Sequence, residues 1–405
     1  MGEWREVELS AIAEVQTGPF GSQLHAADYV PVGVPVIMPN NIGQRLTLNE
    51  ANMSFITEAD ATRLSRYKVK EGDIVFSRRG DVDKCILIDK RKADWFCGTG
   101  CLFARINSSD ADPEFVAYQF DGPELKNWLR TNAVGTTMPN LNSTILSGAP
   151  VALPDLPEQR AIASVLSSLD AKIDLLHRQN KTLEAMAETL FRQWFVEEAE
   201  EVWVEVGLLD VVKLVPGGTP KTTQANYWDG DIMWISVREI SENHKGFINY
   251  AYKTITEEGL DNSAANLLPK FGTVISARGT VGKIALLAQP MAYSQSNFGV
   301  LPKNSSNYFF TYMLVHNSIE ELHSNSYGAV FDTITTQSFQ TIRHRLPGTE
   351  VINSFEALVR PIFLKMLTNT EQITSLTKLR DTLLPKLMSG EVRVEQSIEQ
   401  TMGVK

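Results

Sequence analysis

The chain contains the same pattern twice, and this duplication constrains its fold more than any other feature. Residues of the first half recur 199 positions later, and from Gly135 onward they recur 193 positions later. The matching pairs are Trp4 and Trp203, Leu9 and Leu208, Gly18 and Gly217, Ser77 and Ser276, Arg79 and Arg278, Gly80 and Gly279, Lys84 and Lys283, Gly135 and Gly328, Leu153 and Leu346, and Leu190 and Leu383. A repeat of two long units excludes a solenoid, which stacks many short ones, and predicts a duplicated domain.

Each copy begins with a segment rich in glycine, proline and small polar residues, residues 1–153 and 203–346. Short runs in these segments, such as GDIVFS and TVISA, have the composition of β-strands separated by turns. Both segments are therefore predicted to be compact globular domains, and the predicted fold class is α+β.

Each copy continues into an amphipathic segment, residues 154–202 and 347–390, and a tail of residues 391–405 follows. Apolar residues recur there every seven positions, with a second set four positions further on, which is the seam pattern of a coiled coil. The seam includes Leu169, Leu176, Asn180, Leu183 and Leu190 in the first copy and Ile362, Asn369, Leu376 and Leu383 in the second. In the second helix, Pro361 predicts a kink or a split, and Pro385 predicts a loosened last turn. Gly390 is expected to end this helix.

The two helices could each pack only on their own domain, as most amphipathic helices do. However, roughly 38 residues at about 1.5 Å each give a rod of about 57 Å, which is longer than a small domain is wide. We therefore predict that the helices form an antiparallel coiled coil and join the two domains in a pseudo-two-fold repeat. In this arrangement Asn180 and Asn369 could meet and fix the register.

Composition limits the class of protein. A chain of 405 residues, 43% of them hydrophobic, can bury more than one core. No run of about 18 apolar residues and no basic-then-apolar leader occurs, so we expect a soluble, cytoplasmic protein without a membrane partner. Cys85, Cys97 and Cys101 lack a fourth ligand at zinc-site spacing and are expected to be buried thiols. The net charge of -10 argues against indiscriminate nucleic-acid binding.

The repeated strand-and-turn motif carries the strongest candidate binding residues. Arg78 and Arg79 follow the strand DIVFS, and Gly80 can adopt the positive φ of a turn. Arginine can bind guanine O6 and N7 through two parallel hydrogen bonds, whereas Lys84 suits a phosphate. The motif recurs as Arg278, Gly279 and Lys283. A solvated charged hairpin remains the alternative for such a turn.

Other polar loops supply further candidates. Glycines let backbone N–H groups approach a phosphate, and hydroxyl and amide groups add donors, although the same groups can merely cap a turn. The candidates are Phe20, Gly21 and Ser22 in TGPFGSQL, Thr136, Thr137 and Asn140 in GTTMPN, and Thr219 and Lys221 in PGGTPKTT.

No motif for making or breaking a covalent bond is found. The chain lacks a phosphate-binding loop, since Ile284 follows RGTVGK where Ser or Thr is required, and it lacks zinc-protease, serine-hydrolase and amino-methyltransferase motifs. Its six histidines are scattered without ligand spacing. We predict neither a catalytic residue nor a metal site.

Taken in order, these motifs resemble the DNA specificity (S) subunit of type I restriction-modification systems, over essentially the whole chain. The resemblance rests on TGPFGSQL, FSRRGDVDKCILI, and GTTMPNLNSTILSGAPVALPDLPEQRAIASVL in the first half, and on PGGTPKTTQANYW, SARGTVGKIAL and LRDTLLPKLMSGE in the second. It departs from the usual pattern at Asp83, where a glycine is usual and where the second copy has Gly282, so the first turn is expected to be shaped differently. The second copy also lacks PDLPEQRAIA, which leaves the start of its helix open.

The resemblance implies two target recognition domains that each read one half of a split double-stranded DNA sequence. It also implies two modification subunits that methylate adenine N6 and a restriction subunit with translocase and nuclease activity. S-adenosylmethionine, ATP and Mg²⁺ would be bound by these partners, and this chain would bind no cofactor and catalyse nothing. The alternatives are a two-headed coiled-coil adaptor that binds protein and, less favoured, a self-sufficient methyltransferase.

Overall fold

The computed structural model describes residues 4–135, 137–303, 306–324 and 333–394. The chain folds as two compact units. Unit 1 contains the residues up to Ala171 together with those from Thr377 onward, and unit 2 is Lys172–Leu376. Both boundaries fall inside long helices, so each unit consists of one globular domain and a part of each long helix.

The domain of unit 1 is built on two four-stranded sheets. Its strands are β1 (Arg5–Glu8), β2 (Ala13–Thr17), β3 (Tyr29–Val30), β4 (Val34–Ile37), β5 (Ser54–Ile56), β6 (Asp73–Ser77), β7 (Cys85–Leu87), β8 (Phe96–Cys97), β9 (Cys101–Ile106) and β10 (Pro150–Leu153), and its helices are α1 (Glu58–Arg63), α2 (Pro113–Asp121), α3 (Pro123–Asn132) and α4 (Ser143–Ser147). One sheet is antiparallel with order β2-β9-β6-β7, and the other has order β3-β5-β4-β8, with β4 and β8 parallel. β1 pairs with β10.

The first long helix, α5 (Leu156–Arg192), starts close to the predicted position. Asp155 accepts a hydrogen bond from the backbone N–H of Glu158 at 2.9 Å, which satisfies one free donor of the first turn. Gln159 is fully buried and accepts from the N–H of Asp112, which fixes the helix start to the loop before α2. A short π-helical turn, Gln193–Glu197, ends the helical segment earlier than the predicted residue 202.

The domain of unit 2 has the same plan, with one more strand among its described residues. Its strands are β11 (Val204–Gly207), β12 (Val212–Pro216), β13 (Trp228–Ile235), β14 (Phe247–Ile248), β15 (Lys253–Ile255), β16 (Leu267–Leu268), β17 (Thr273–Ser276), β18 (Ile284–Leu287), β19 (Met291–Tyr293), β20 (Asn297–Pro302) and β21 (Arg343–Leu346), and its helices are α6 (Leu208–Val211), α7 (Val237–Glu242), α8 (Glu257–Asp261), α9 (Tyr308–Asn317), α10 (Ile319–Ser324) and α11 (Thr336–Gln340). The sheets have the orders β12-β20-β17-β18-β14 and β15-β13-β19-β16, and β11 pairs with β21.

The strand registers confirm the duplication. In unit 1, Arg5 lies opposite Leu153, and in unit 2 their counterparts Val204 and Leu346 lie opposite each other. Each domain thus closes by pairing its first strand with its last. The predicted fold class, α+β with an internal repeat and two long helices, is confirmed.

The second long helix, α12 (Thr349–Met388), runs uninterrupted through Pro361, so the predicted split is wrong. Proline removes the hydrogen bond to the carbonyl of residue Ala357, but both residues are exposed, and water can satisfy the freed carbonyl. The helix also continues past Pro385. Gly390, with φ of +72°, follows its end as predicted.

Within each unit the two long helices run antiparallel. In unit 2, Phe191 contacts Phe355 with ring centroids 5.7 Å apart, and the Asn369 amide donates to the Asn180 side-chain oxygen at 2.9 Å. The pattern predicted this meeting of the two asparagines. Asn369 is fully buried and Asn180 is half-buried, so this polar pair lies inside the seam between the two helices.

In unit 1 the seam contains a charged pair. Arg380 is only 7% exposed, and its guanidinium lies 2.7 Å from the Asp170 carboxylate on α5 and 2.9 Å from Asp381. The Tyr118 hydroxyl donates to the same Asp170 at 2.8 Å. These carboxylates satisfy the buried cation and raise the pKa of the Arg380 guanidinium against the opposing effect of burial.

The long helices also complete the cores of the domains. In unit 1, residues Ile162, Leu166 and Leu384 are buried in the same cluster as Phe76 and Phe115. In unit 2, α5 and α12 contribute Ala187, Phe191, Phe355, Val359 and Phe363 to the domain core. Packing on a domain and pairing with the other helix are therefore both present, and neither excludes the other.

Candidate nucleic-acid interface

The turn between β6 and β7 presents the first predicted arginine pair. Ser77 ends β6, and Gly80 has φ of +76° with open space where a Cβ would stand, so glycine is required by the backbone turn itself. Arg79 is exposed. Arg78 is half-buried, and its Nε donates to the Leu141 carbonyl at 3.2 Å. The turn therefore exposes one arginine and holds the other against a neighbouring loop.

That neighbouring loop, residues 134–142, is tied directly to the arginine turn. Arg79 and Asn140 form an antiparallel β-bridge, and the N–H of Gly80 donates to the Pro139 carbonyl at 3.1 Å. The Leu141 N–H donates to the carbonyl of Arg78 at 2.9 Å. Two segments about sixty residues apart in sequence thus form one surface.

The tip of this loop is exposed. Val134 and Asn140 pair, and Gly135 adopts φ of +108° between them and the tip. Thr137 is exposed, whereas the predicted residue Thr136 lies outside the described residues. Val134 and Met138 are 63% and 62% exposed, and sequence reasoning missed both. Apolar side chains can contact a thymine methyl group, so their position beside Arg79 makes them candidates for base contact.

A third loop, residues 17–24, approaches the same turn. Phe20, Gly21 and Ser22 are exposed, and the Arg78 guanidinium lies 5.9 Å from the centroid of the Phe20 ring, within the range of a cation–π contact. A Cβ at Gly18 would overlap the backbone carbonyl of Gly98, so this glycine is required for close packing. We call the three segments 17–24, 78–84 and 134–142 loop cluster 1.

The predicted phosphate-binding lysine of loop cluster 1 already has an acidic partner. The Lys84 ammonium lies 2.5 Å from the Asp81 carboxylate. The next acidic residue, Asp83, is buried and forms an ion pair of 2.5 Å with Arg130. Asp83 does not adopt positive φ, whereas its counterpart Gly282 has φ of +78°. The two turns are therefore shaped differently, as the departure at Asp83 predicted.

Unit 2 repeats the arginine turn. Arg278 and Gly279 are exposed, and Gly279 has φ of +78° with open space around it. The N–H of Ile334 donates to the Ala277 carbonyl at 3.0 Å, in the same position as the Leu141 bond in unit 1. Residues 325–332, between the described parts of this region, are not described. We call residues 216–223 and 277–283 loop cluster 2.

The remaining predicted residues of loop cluster 2 lie at its other segment. Lys221 is exposed, and its carbonyl accepts a hydrogen bond from the Trp228 indole at 3.3 Å. Thr219 is half-buried. A Cβ at Gly217 would overlap the Ser294 carbonyl, which matches the packing of Gly18 in unit 1. The common scaffold is therefore held by the same glycine in both domains.

The side chains on this scaffold differ between the copies. Arg78 is replaced by Ala277, which is buried, and Phe20 is replaced by Thr219, so the cation–π contact of unit 1 has no counterpart. Arg79 and Arg278 remain at the same position. The two domains therefore share the exposed arginine and its backbone turn, but differ in the side chains around it.

Sequence reasoning also missed an aromatic and basic group in unit 2. The Arg238 guanidinium lies 3.9 Å from the centroid of the Tyr252 ring, and the hydroxyls of Tyr250 and Tyr252 donate to Glu242 at 2.6 and 2.9 Å. Tyr252 is 53% exposed. The signal in the sequence was the pair of tyrosines at alternate positions, but only the fold brings them to α7.

The described part of the chain contains neither a metal-ligand cluster nor a membrane-spanning helix. Within it, no three His, Cys, Asp or Glu side chains are grouped so that they could hold a metal ion. The three cysteines are buried free thiols, as predicted, and burial raises the pKa of each thiol. None of the described helices has both the length and the apolar character needed to cross a membrane.

Comparison with known proteins identifies similar chains. Residues 1–185 and 200–351 match the family model of the type I restriction modification DNA specificity domain. The MjaIX specificity subunit of a type I restriction enzyme from Methanocaldococcus jannaschii is 26% identical over 304 residues, which are 70% of this chain and 70% of that protein. The HindI specificity subunit from Haemophilus influenzae is 21% identical over 97% of this chain and all of its own length (100%).

A solved structure has the same fold. The S subunit of a type I restriction-modification system from M. genitalium superimposes with a TM-score of 0.61 and covers 95% of this chain and 96% of its own. At 18% identity, this likeness concerns the fold alone.

Proposed function

Since the chain belongs to the family of type I restriction modification DNA specificity domains, we propose that it is the subunit that selects the DNA sequence for such an enzyme. The observation that carries the proposal is the pair of exposed Arg-Gly turns, Arg79-Gly80 and Arg278-Gly279, on the same strand ends of two duplicated domains. An arginine on a rigid strand end is suited to bidentate contact with guanine in the major groove.

The duplication supports a target in two parts. Each domain would read one half of the sequence through its loop cluster, and the different side chains at Arg78 and Ala277 would give the halves different sequences. Exposed residues of the predicted set, such as Ser22, Thr137 and Lys221, would then bind phosphates or base edges around the arginine.

The proposal assigns the chemistry to partner subunits. The absence of recognisable catalytic motifs in the sequence supports a non-catalytic role for this chain. It would act in the cytoplasm with two modification subunits, which bind S-adenosylmethionine and methylate adenine N6, and with restriction subunits that use ATP and Mg²⁺. Part of the affinity for DNA would come from these partners, which fits the net charge of -10.

The experiment expresses the chain with its modification subunit in a host that lacks adenine methylation and maps N6-methyladenine across the genome. We expect one motif with two specified parts separated by unspecified bases, present only when both proteins are expressed. Methylation that is the same without this chain would refute the proposal and would favour the protein-binding adaptor.

A further inference from the structure

A cavity of about 520 Å³ lies within unit 2, beside the turn between β17 and β18. It is lined by side chains from α5, α9, α10 and the loop before β14. Six of them are cationic or imidazole groups: Arg192, His244, Lys245, Lys283, His316 and His323. The volume is in the range of small-molecule sites, and such a lining suits an anion. Among these residues, only Lys283 belongs to the predicted DNA-binding set.

The cations of the cavity differ in how far they are neutralised. The Lys245 ammonium lies 2.7 Å from Glu188 and 3.4 Å from Glu184, so its charge is matched. Arg192 lies 3.1 Å from Glu197. Within the described residues, the ammonium of Lys283 forms neither an ion pair nor a hydrogen bond. A half-buried lysine without a carboxylate leaves a positive charge available at the cavity wall.

The internal repeat shows what the second copy has changed. In unit 1 the counterpart Lys84 pairs with Asp81, but position 280 of unit 2 is a threonine. The second copy therefore retains the lysine but lacks the aspartate that pairs with it in the first copy.

A second ion pair of unit 1 is also absent. Asp83 pairs with Arg130 in unit 1, and the corresponding residues of unit 2 are Gly282 and His323. A Cβ at Gly282 would overlap the His323 imidazole, so the ring packs where a side chain would otherwise stand. The second copy therefore lacks two carboxylates that the first has at this place, and it gains a ring nitrogen.

His244 also lines the cavity and carries a ring N–H that can donate a hydrogen bond. Its Nδ1 accepts a hydrogen bond from the N–H of Ile284 at 3.2 Å, so the neutral ring has its proton on Nε2. Burial, together with the nearby charge of Lys283, lowers the pKa of His244 to about 4 and keeps the ring neutral near pH 7. The Glu188 carboxylate interacts with Lys245 and, at 3.3 Å, with His316. Glu320 is the other carboxylate that lines the cavity, and its negative charge opposes the binding of an anion.

From the cavity, from a Lys283 that has no carboxylate partner among the described residues, and from the lost acids of the second copy, we propose that this cavity binds a phosphate group. Lys283 supplies the charge, and His244 lines the same cavity as a hydrogen-bonding group. The phosphate can belong to a free phosphate compound or to a DNA backbone, and the two sources are separated by experiment. The site does not depend on the proposed DNA recognition, because free phosphate is itself a probe.

The test titrates the full chain, labelled with ¹³C-histidine, with inorganic phosphate and, separately, with a short DNA duplex of arbitrary sequence. We expect saturable shifts of the His244 and His323 ring signals in NMR spectra with at least one of the probes. Shifts with phosphate identify a site for free phosphate, and shifts with the duplex alone identify a backbone phosphate. If neither probe moves these signals, the proposal is wrong.

Two variants examine the role of the lysine. Lys283→Met removes the charge, and Thr280→Asp restores the acid of the first copy at an exposed position where folding is not at risk. Each is expected to weaken binding at least about tenfold, as expected when one charge-assisted contact is lost. Lys213→Met, at an exposed lysine of β12 away from the cavity, should bind like the wild type. Unchanged binding by Thr280→Asp would contradict the proposal even if Lys283→Met does not fold.

Discussion

At the scale of single residues, the two Arg-Gly turns have the same backbone and different surroundings. Arg79 and Arg278 are both exposed beside a glycine of positive φ. Arg78 is held by the Leu141 carbonyl and the Phe20 ring, whereas Ala277 is buried. The exposed arginine is therefore common to both domains, whereas the residue before it differs between them.

Arg79→Ala should impair recognition of the first half-site only. The Arg79 side chain is exposed and its link to Asn140 is through the backbone, so the variant should fold normally. Loss of a bidentate base contact costs about 1–3 kcal/mol and relaxes specificity at one position. The measurement is the affinity of the assembled enzyme for duplexes altered in one half-site at a time.

Arg278→Ala is the matched control, because it removes the same group from the other domain. It should impair the second half-site and leave the first unchanged. If either variant lowered affinity for both halves equally, the arginines would act in overall charge or stability and not in reading sequence.

His244→Asn should change the pH dependence of stability. The folded-state pKa of His244, about 4, is below the ordinary value of 6.5, so between these values the unfolded chain binds a proton that the folded chain does not. Stability is therefore lost as the pH falls through this window. Asn can accept the Ile284 N–H without titrating. Urea unfolding at about pH 7 and about pH 5 should show a smaller loss for the variant, and an equal loss would contradict the assignment.

The sequence predicted several residues of this surface but not their partners. The Arg-Gly turn was predicted from the repeat and from the known geometry of glycine turns. The contact of Arg79 with Asn140 and that of Arg78 with Phe20 are long-range, and single-sequence patterns do not encode such pairings. The pairing of Lys84 with Asp81 is local, yet only the structure distinguishes it from a lysine that is free to bind phosphate.

At the scale of elements, the polar residues in the seam between the long helices form specific pairs. Asn180 meets Asn369, and Arg380 meets Asp170. Each pair lies within one unit, so each fixes the register of α5 against α12 at its own position. Polar groups in such a seam commonly specify register and direction at some cost in stability.

Cysteines introduced together at positions 180 and 369 should form a disulfide in the folded protein. The two asparagine side chains are in direct contact, with 2.9 Å between the bonded atoms. Mild oxidation, followed by electrophoresis without reductant and mass spectrometry of the linked peptides, measures the yield. The single-cysteine variants are the controls, since the three native thiols are buried. Absence of the 180–369 link in folded protein would refute this register.

Arg380→Met should destabilise unit 1 by about 2–4 kcal/mol, because it leaves the Asp170 carboxylate in the seam without its cation. Combining it with Asp170→Asn should restore part of the loss, with a coupling energy of about 1–3 kcal/mol. Chemical unfolding of the wild type, both single variants and the double variant gives this value. Additive effects of the two substitutions would mean that the pair contributes nothing beyond its separate residues.

The element-scale prediction from sequence succeeded where a long period was present. The seven-residue spacing identified both long helices and the meeting of the asparagines. The split expected at Pro361 was wrong, because Pro361 lies on the exposed side of α12, where a freed carbonyl is hydrated, and this position depends on which face packs. The pairing of Arg380 with Asp170 was not predicted, because the two residues are far apart in sequence and on different helices.

At the scale of the whole molecule, duplication explains why one chain has two candidate binding surfaces. The strand pairs Arg5–Leu153 and Val204–Leu346 close two domains of one plan, and the altered loop residues give them different surfaces. The constant separations of 199 and 193 residues between matching positions already indicated two domains of one plan. Under the proposed function, the DNA sequence that each surface would select depends on side-chain contacts that no repeat pattern encodes.

We propose that the two domains read two half-sites and that the long helices α5 and α12 set the gap between these half-sites. The most direct measurement inserts one heptad into each helix, beside Asn180 and Asn369, and maps the adenines that the assembled enzyme methylates. Seven residues add about 10 Å of helix, close to three base pairs of DNA, so both half-site sequences should be unchanged and the gap should grow by about three base pairs. An active variant whose methylated motif keeps the original gap would contradict the account.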